Sequence, residues 1–157
     1  MSEPDRTEQV GQPWWFEDFE PGMRFHTPSR TVTEADIGQF AALTWDTNPM
    51  HTDRVFASSS RFGGIIGHGL MGVSFAMGLA SRLGIFEGSS IALLGIDEWT
   101  FTAPLVVGTT IRCEIEILSA RRTRSGAGVL DRRFVLRDAE GTVVQSGRIG
   151  LMVAARP

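Results

Sequence analysis

At 157 residues and 17.2 kDa, with 15 basic against 18 acidic side chains and a formal charge of −3, the chain reads as one domain burying roughly 70% of its unfolded surface. Hydrophobic residues at 42% and charged residues at 21% exclude wholesale disorder, and the slight acidity argues against a nucleic-acid module, which carries a clustered basic face. Every basic residue is arginine, tyrosine is absent and Cys113 is the one thiol, which removes Schiff-base lysines, tyrosine acids, intramolecular disulfides and cysteine zinc fingers.

Residues 1–12 are polar and acidic, without the basic-then-apolar order of an export signal; they read as a disordered leader before a single domain over 13–157. Trp14, Trp15, Phe16 and Phe19 supply an aromatic anchor, a Pro21-Gly22 turn follows, and Arg24 to Val32 is expected as the first strand. Thr33 is placed to cap a helix over Glu34–Thr44, with Glu34 and Asp36 in its first turn and Ile37, Phe40 and Ala41 at helical spacing. Pro49, three consecutive serines at 58–60 and Gly63-Gly64 make Trp45 to Gly67 mostly irregular, with room for a helical turn near Asp53–Ala57. So long a loop in a small domain is usually functional.

Gly69 to Leu83 is apolar nearly all round and rich in small residues, the pattern of a helix buried on every side. Its apolar core, Gly69 to Leu79, is too short to cross a bilayer; no membrane partner is expected, and a soluble cytoplasmic protein with one unpaired thiol is the reading. Four β-like runs follow: Ile91–Phe101, with a bulge expected at Gly95, then Thr109–Arg121, Gly128–Arg137 and Thr142–Val153. Long consecutive strands joined by tight turns predict an α+β architecture, an antiparallel sheet wrapped around a central helix.

Polar chemistry is densest in Trp45-Asp46-Thr47-Asn48-Pro49-Met50-His51-Thr52-Asp53. Asp46 and His51 are five apart, a spacing that does not align them on a helix, but a turn at Asn48-Pro49 can fold them toward one point, where carboxylate and imidazole would share a water as an acid/base pair. The alternative is that Asp46 or Asn48 caps a turn and His51 lies on the surface. Ile65-Ile66-Gly67-His68-Gly69 is the second candidate: backbone N–H groups at the start of the buried helix can stabilise charge on a substrate oxygen, with Gly69 allowing close approach. Those glycines equally suit a turn that only relieves steric crowding. His26, His51 and His68 have no short paired spacing, so no metal is expected. Arg121, Arg122, Arg124, Arg132 and Arg133 read as a solvated basic face, with attraction of an anionic carrier as the alternative.

Phe40 to Asp53 resembles the hydratase motif of MaoC-like dehydratases, the R-specific enoyl-CoA hydratases. The resemblance continues through Ala57, Ile65–Gly69 and Phe101–Thr109, and runs from about Trp14 to Ala155. It implies a hotdog fold, a homodimer, and a coenzyme A thioester as substrate in fatty-acid metabolism, with no cofactor beyond the coenzyme A of the substrate itself. Asp46 and His51 would then activate water, Gly69 N–H would polarise the thioester carbonyl, and Asn48 would shape the loop. The reaction implied is reversible addition of water to a trans-2-enoyl-CoA, giving the R-3-hydroxyacyl-CoA. Trp45, just before the aspartate, and Met77, on the central helix, depart from the family pattern, and the indole points to short or branched acyl groups. A hotdog thioesterase and a non-catalytic acyl-CoA-binding protein are the competing readings; the Asp46-x-Asn48-Pro49-x-His51 pattern disfavours the first.

Overall fold

A computed structural model describes residues 14–157; the leader expected over 1–12 lies outside the described residues. Trp14 and Phe19 are buried and pack with Phe25 and Phe86, so the aromatic anchor is part of the core. The expected first strand is two short ones, β1 (Arg24–His26) and β2 (Arg30–Thr31), both antiparallel to the same partner. Pro28 between them has no N–H to give a ladder.

Helix α1 (Glu34–Thr44) begins where Thr33 and Asp36 form a reciprocal capping box: Asp36 N–H donates to Thr33 Oγ1 at 3.1 Å, and Thr33 N–H to Asp36 Oδ2 at 2.9 Å. The loop beyond it holds more helix than its composition predicts. Asn48 caps α2 (Pro49–Thr52), with Pro49 at the first helical position, and Asp53 caps α3 (Arg54–Ser58) through its carboxylate.

Helix α4 (Gly69–Ser81) packs on an antiparallel sheet made by β3 (Ser90–Phe101), β4 (Thr110–Arg122), β5 (Gly128–Asp138) and β6 (Val143–Val153), with strand order β1-β4-β5-β6-β3 and β2 also on β4. Met71, Ala76, Leu79 and Ala80 from α4 meet Ile115, Phe134 and Ile149 from the strands, which is the predicted α+β arrangement of sheet around helix. A register shift between Leu93 and Gly95 marks the expected bulge.

Two expectations are corrected. Helix α4 is not buried on every side: Leu70 is 65% exposed, and Ser74 and Gly78 are also uncovered. These positions are four apart, so they form one stripe without cover in a single chain. Arg132 is not part of a solvated face either. Leu130, Arg132, Phe134 and Leu136 alternate inward along β5, leaving Arg132 only 1% exposed, whereas Arg121, Arg122, Arg124 and Arg133 are exposed as expected. No helix among the described residues is long and apolar enough to cross a membrane.

Candidate active site

Helix α1 stops because Trp45 turns into the left-handed region, φ 63°, which breaks the hydrogen-bond ladder and swings Asp46 off the helix axis. Asn48 joins the aspartate to the helix that carries His51. Its N–H lies 3.4 Å from Asp46 Oδ1, and its own Oδ1 accepts from Met50 N–H at 3.0 Å. His51 N–H donates to Asn48 O at 2.8 Å. The Asn-Pro turn therefore brings Asp46 and His51 together across the bend, as the motif predicts.

His51 Nδ1 is 2.7 Å from Ile66 O. A carbonyl can only accept, so the proton sits on Nδ1 and the Nε2 lone pair is free. His68, which the spacing did not single out, completes the cluster. Its ring stacks on His51 with centroids 3.7 Å apart, Phe40 packs 5.1 Å from it, and it is 3% exposed. His68 Nε2 donates to Asp46 O at 2.8 Å, which tethers the aspartate's backbone. The carboxylate Oδ2 lies 3.9 Å from His68 Nε2, with its side chain 55% exposed.

Asp46, His51 and His68 each offer a ligand atom within 4.8 Å of the others. One water making two ordinary hydrogen bonds spans such a gap. A metal ion fits gaps of the same size; His51 Nδ1 and His68 Nε2 donate to carbonyls, which leaves each imidazole one nitrogen.

Gly69 follows His68 and opens α4; its N–H has no hydrogen-bond partner among the described residues. A Cβ there would sit 3.0 Å from the Phe101 ring, a tight contact between the start of the helix and the end of β3. Gln145, buried in the sheet, donates from Nε2 to Gly69 O at 3.1 Å and accepts from Trp99 Nε1 at 3.1 Å. Gly72, one turn on, lies against the same amide with no room for a side chain. Trp45, expected beside an acyl pocket, is 89% exposed. Met77 is half-buried and lines a cavity further along α4.

Antiparallel strands rolled about one helix, with a carboxylate and two imidazoles gathered at that helix's amino end, make the hotdog fold seen in solved MaoC-like dehydratases. The chain belongs to the family of the MaoC like domain, whose model matches residues 18–132. It is 37% identical over 109 residues to Protein MaoC of Klebsiella aerogenes, covering 69% of this chain but 31% of that one, so it spans under a third of that relative. It is 28% identical over 146 residues to an (R)-specific enoyl-CoA hydratase of Rhodospirillum rubrum, covering 90% and 93% of the two chains. Among solved structures, a monoamine oxidase regulatory protein from Archaeoglobus fulgius matches with a TM-score of 0.85 at 30% identity, over 94% of this chain and 99% of that one.

Proposed function

We propose that the chain catalyses reversible addition of water to a trans-2-enoyl-CoA, giving the R-3-hydroxyacyl-CoA. The observation that carries this reading is the gathering of ligand atoms of Asp46, His51 and His68 within 4.8 Å of one another; His51, donating from Nδ1 to Ile66 O, keeps Nε2 as an acceptor. A water held between Asp46 and His51 is oriented by both. One of the pair takes its proton as oxygen adds to the β-carbon, and the other returns a proton to the α-carbon. Such acid–base help contributes about 10²–10⁴-fold. Negative charge moves onto the thioester oxygen in the transition state, where the unpartnered Gly69 N–H is the available donor, an effect of about 10²–10³. The relationship to a hydratase over nearly the whole of both chains supports the same chemistry. The scheme uses no cofactor beyond the coenzyme A of the substrate.

We further infer that the working unit is a homodimer. Strand β3 ends the sheet, and Ile91, Leu93, Leu94 and Ile96 on it are each about half exposed; an unpaired apolar edge favours a second strand. The uncovered stripe of α4 and the open flank of Asp46 lie outside the core of a single chain, so a second copy would supply the missing wall. A reducing cytoplasmic setting suits the unpaired Cys113.

The test follows loss of the conjugated thioester of crotonyl-CoA in the ultraviolet, with Asp46→Asn and His51→Gln in parallel. The parent is expected to hydrate the substrate and each variant to lose about a hundredfold or more. Release of free coenzyme A thiol would replace this reading with thioester hydrolysis, and binding without turnover would replace it with a carrier role.

A further inference from the structure

We propose that Gln145 is a positioning residue for the oxyanion donor: from the sheet it holds Gly69, and with it the Gly69 N–H, in a fixed direction. The assignment rests on the reading of that N–H as the donor to the thioester oxygen. Gln145 makes no hydrogen bond to Asp46, His51 or His68 among the described residues, so it acts through Gly69 alone.

Gln145 is 2% exposed and takes an inward position of β6 in line with Ile149, Leu151 and Val153. A polar amide among such neighbours is costly unless its groups are paired, and both ends of this one are. Its Oε1 accepts from Trp99 Nε1 at 3.1 Å and its Nε2 donates to Gly69 O at 3.1 Å. An indole N–H can only donate and a carbonyl can only accept, so the amide has a single satisfied orientation.

Trp99 is delivered by an irregularity in β3. The register with β6 shifts between Asp97 and Thr100, and Glu98 stands in the left-handed region at φ 53°. A non-glycine residue keeps that conformation only when its surroundings hold it; Arg148 Nη2 lies 3.5 Å from Glu98 Oε1. The shift turns Trp99 toward the core, 6.4 Å from the Phe134 ring, while Asp97, Glu98 and Thr100 are exposed.

These contacts matter at Gly69 because glycine leaves its own φ and ψ unrestrained. Ahead of it, Gly67 N–H donates to Leu105 O at 2.7 Å. Behind it, Gln145 holds the carbonyl of the following peptide. The Gly69 N–H lies between these two ties. An oxyanion donor is effective because it is already aimed when charge develops, and a misplacement of about 1 Å can cost about 10²-fold in rate.

The test compares the parent with Gln145→Met and Trp99→Phe. Methionine keeps the length of glutamine without a donor, and phenylalanine keeps a ring without the indole N–H. In Gln145→Met, kcat for crotonyl-CoA hydration is expected to fall about tenfold with KM within about twofold; Trp99→Phe is expected to lose less. The second readout is the infrared carbonyl stretch of bound butyryl-CoA labelled with carbon-13 at the thioester carbon, an analogue that cannot be hydrated. In the parent the stretch is expected below its free value, and in Gln145→Met most of that shift is expected to vanish. An unchanged shift in a folded Gln145→Met overturns the assignment whatever its kcat, and so does an unshifted carbonyl in the parent. If circular dichroism shows that Gln145→Met does not fold, the same shift in Trp99→Phe decides. A parent that fails to hydrate crotonyl-CoA refutes the hydratase reading by itself, since the carbonyl shift is read without turnover.

Discussion

The His51 and His68 rings stack 3.7 Å apart at an interplanar angle of 27°, while each imidazole points a nitrogen at a different backbone carbonyl, Ile66 O for one and Asp46 O for the other. His68 is therefore a positioning residue: it holds the aspartate's backbone and backs the ring of its neighbour. His68→Phe keeps the stack and the contact with Phe40 but deletes the donor to Asp46 O. A folded variant with kcat lowered about tenfold and KM changed less than about twofold is expected. His68→Gln, which can restore a donor, should recover part of kcat. A loss confined to KM would place His68 in substrate binding instead.

Gly69→Ala sets a methyl 3.0 Å from the Phe101 ring. Overpacking of this kind costs about 1–3 kcal/mol, so the variant's Tm should fall by several degrees. Adding Phe101→Leu makes room and should return Tm toward the parent. If Gly69 N–H serves the thioester oxygen, hydration stays depressed in the double variant because the added methyl still crowds the amide. Full recovery of rate together with Tm would show that Gly69 matters for packing alone.

Leu93→Arg places a charge on the exposed edge of β3, where the second copy is expected. Sedimentation should show a dimer for the parent and a monomer for the variant, with the far-ultraviolet dichroism retained and crotonyl-CoA hydration lost. A parent that sediments as a monomer while hydrating crotonyl-CoA would remove the dimer from the scheme.

The Cys113 thiol is 1% exposed, and burial pushes its pKa up to about 12. Raised above the unfolded value of about 8.5, it contributes stability that is present below that pH and declines as pH climbs toward 12. The urea midpoint should fall between pH 8 and 10.5 more steeply in the parent than in Cys113→Val. Native protein at pH 8 should resist a disulfide thiol reagent, modification following unfolding; prompt stoichiometric labelling would contradict the burial.

The strands were legible because alternation reports directly on which side of a sheet a residue faces: Thr142–Val153 and Gly128–Arg137 match β6 and β5 within a residue. The same parity, read through Leu130, Phe134 and Leu136, would have put Arg132 inside; the charge misled because arginine is so seldom buried alone. Asp46, Asn48 and His51 could be read together because a single turn joins them. His68 could not, since its place beside His51 depends on a chain reversal through α3 and the following loop, and no local spacing encodes that return. The open stripe on α4 was hidden for a related reason: hydropathy says that a face wants cover, not that another molecule must provide it.

Gln145 fastens Gly69 O and Trp99 Nε1 with one amide. Trimming Trp99 would therefore loosen, through that one amide, the rivet that seats the helix's leading peptide. A change in the sheet is thus mechanically linked to the start of the helix.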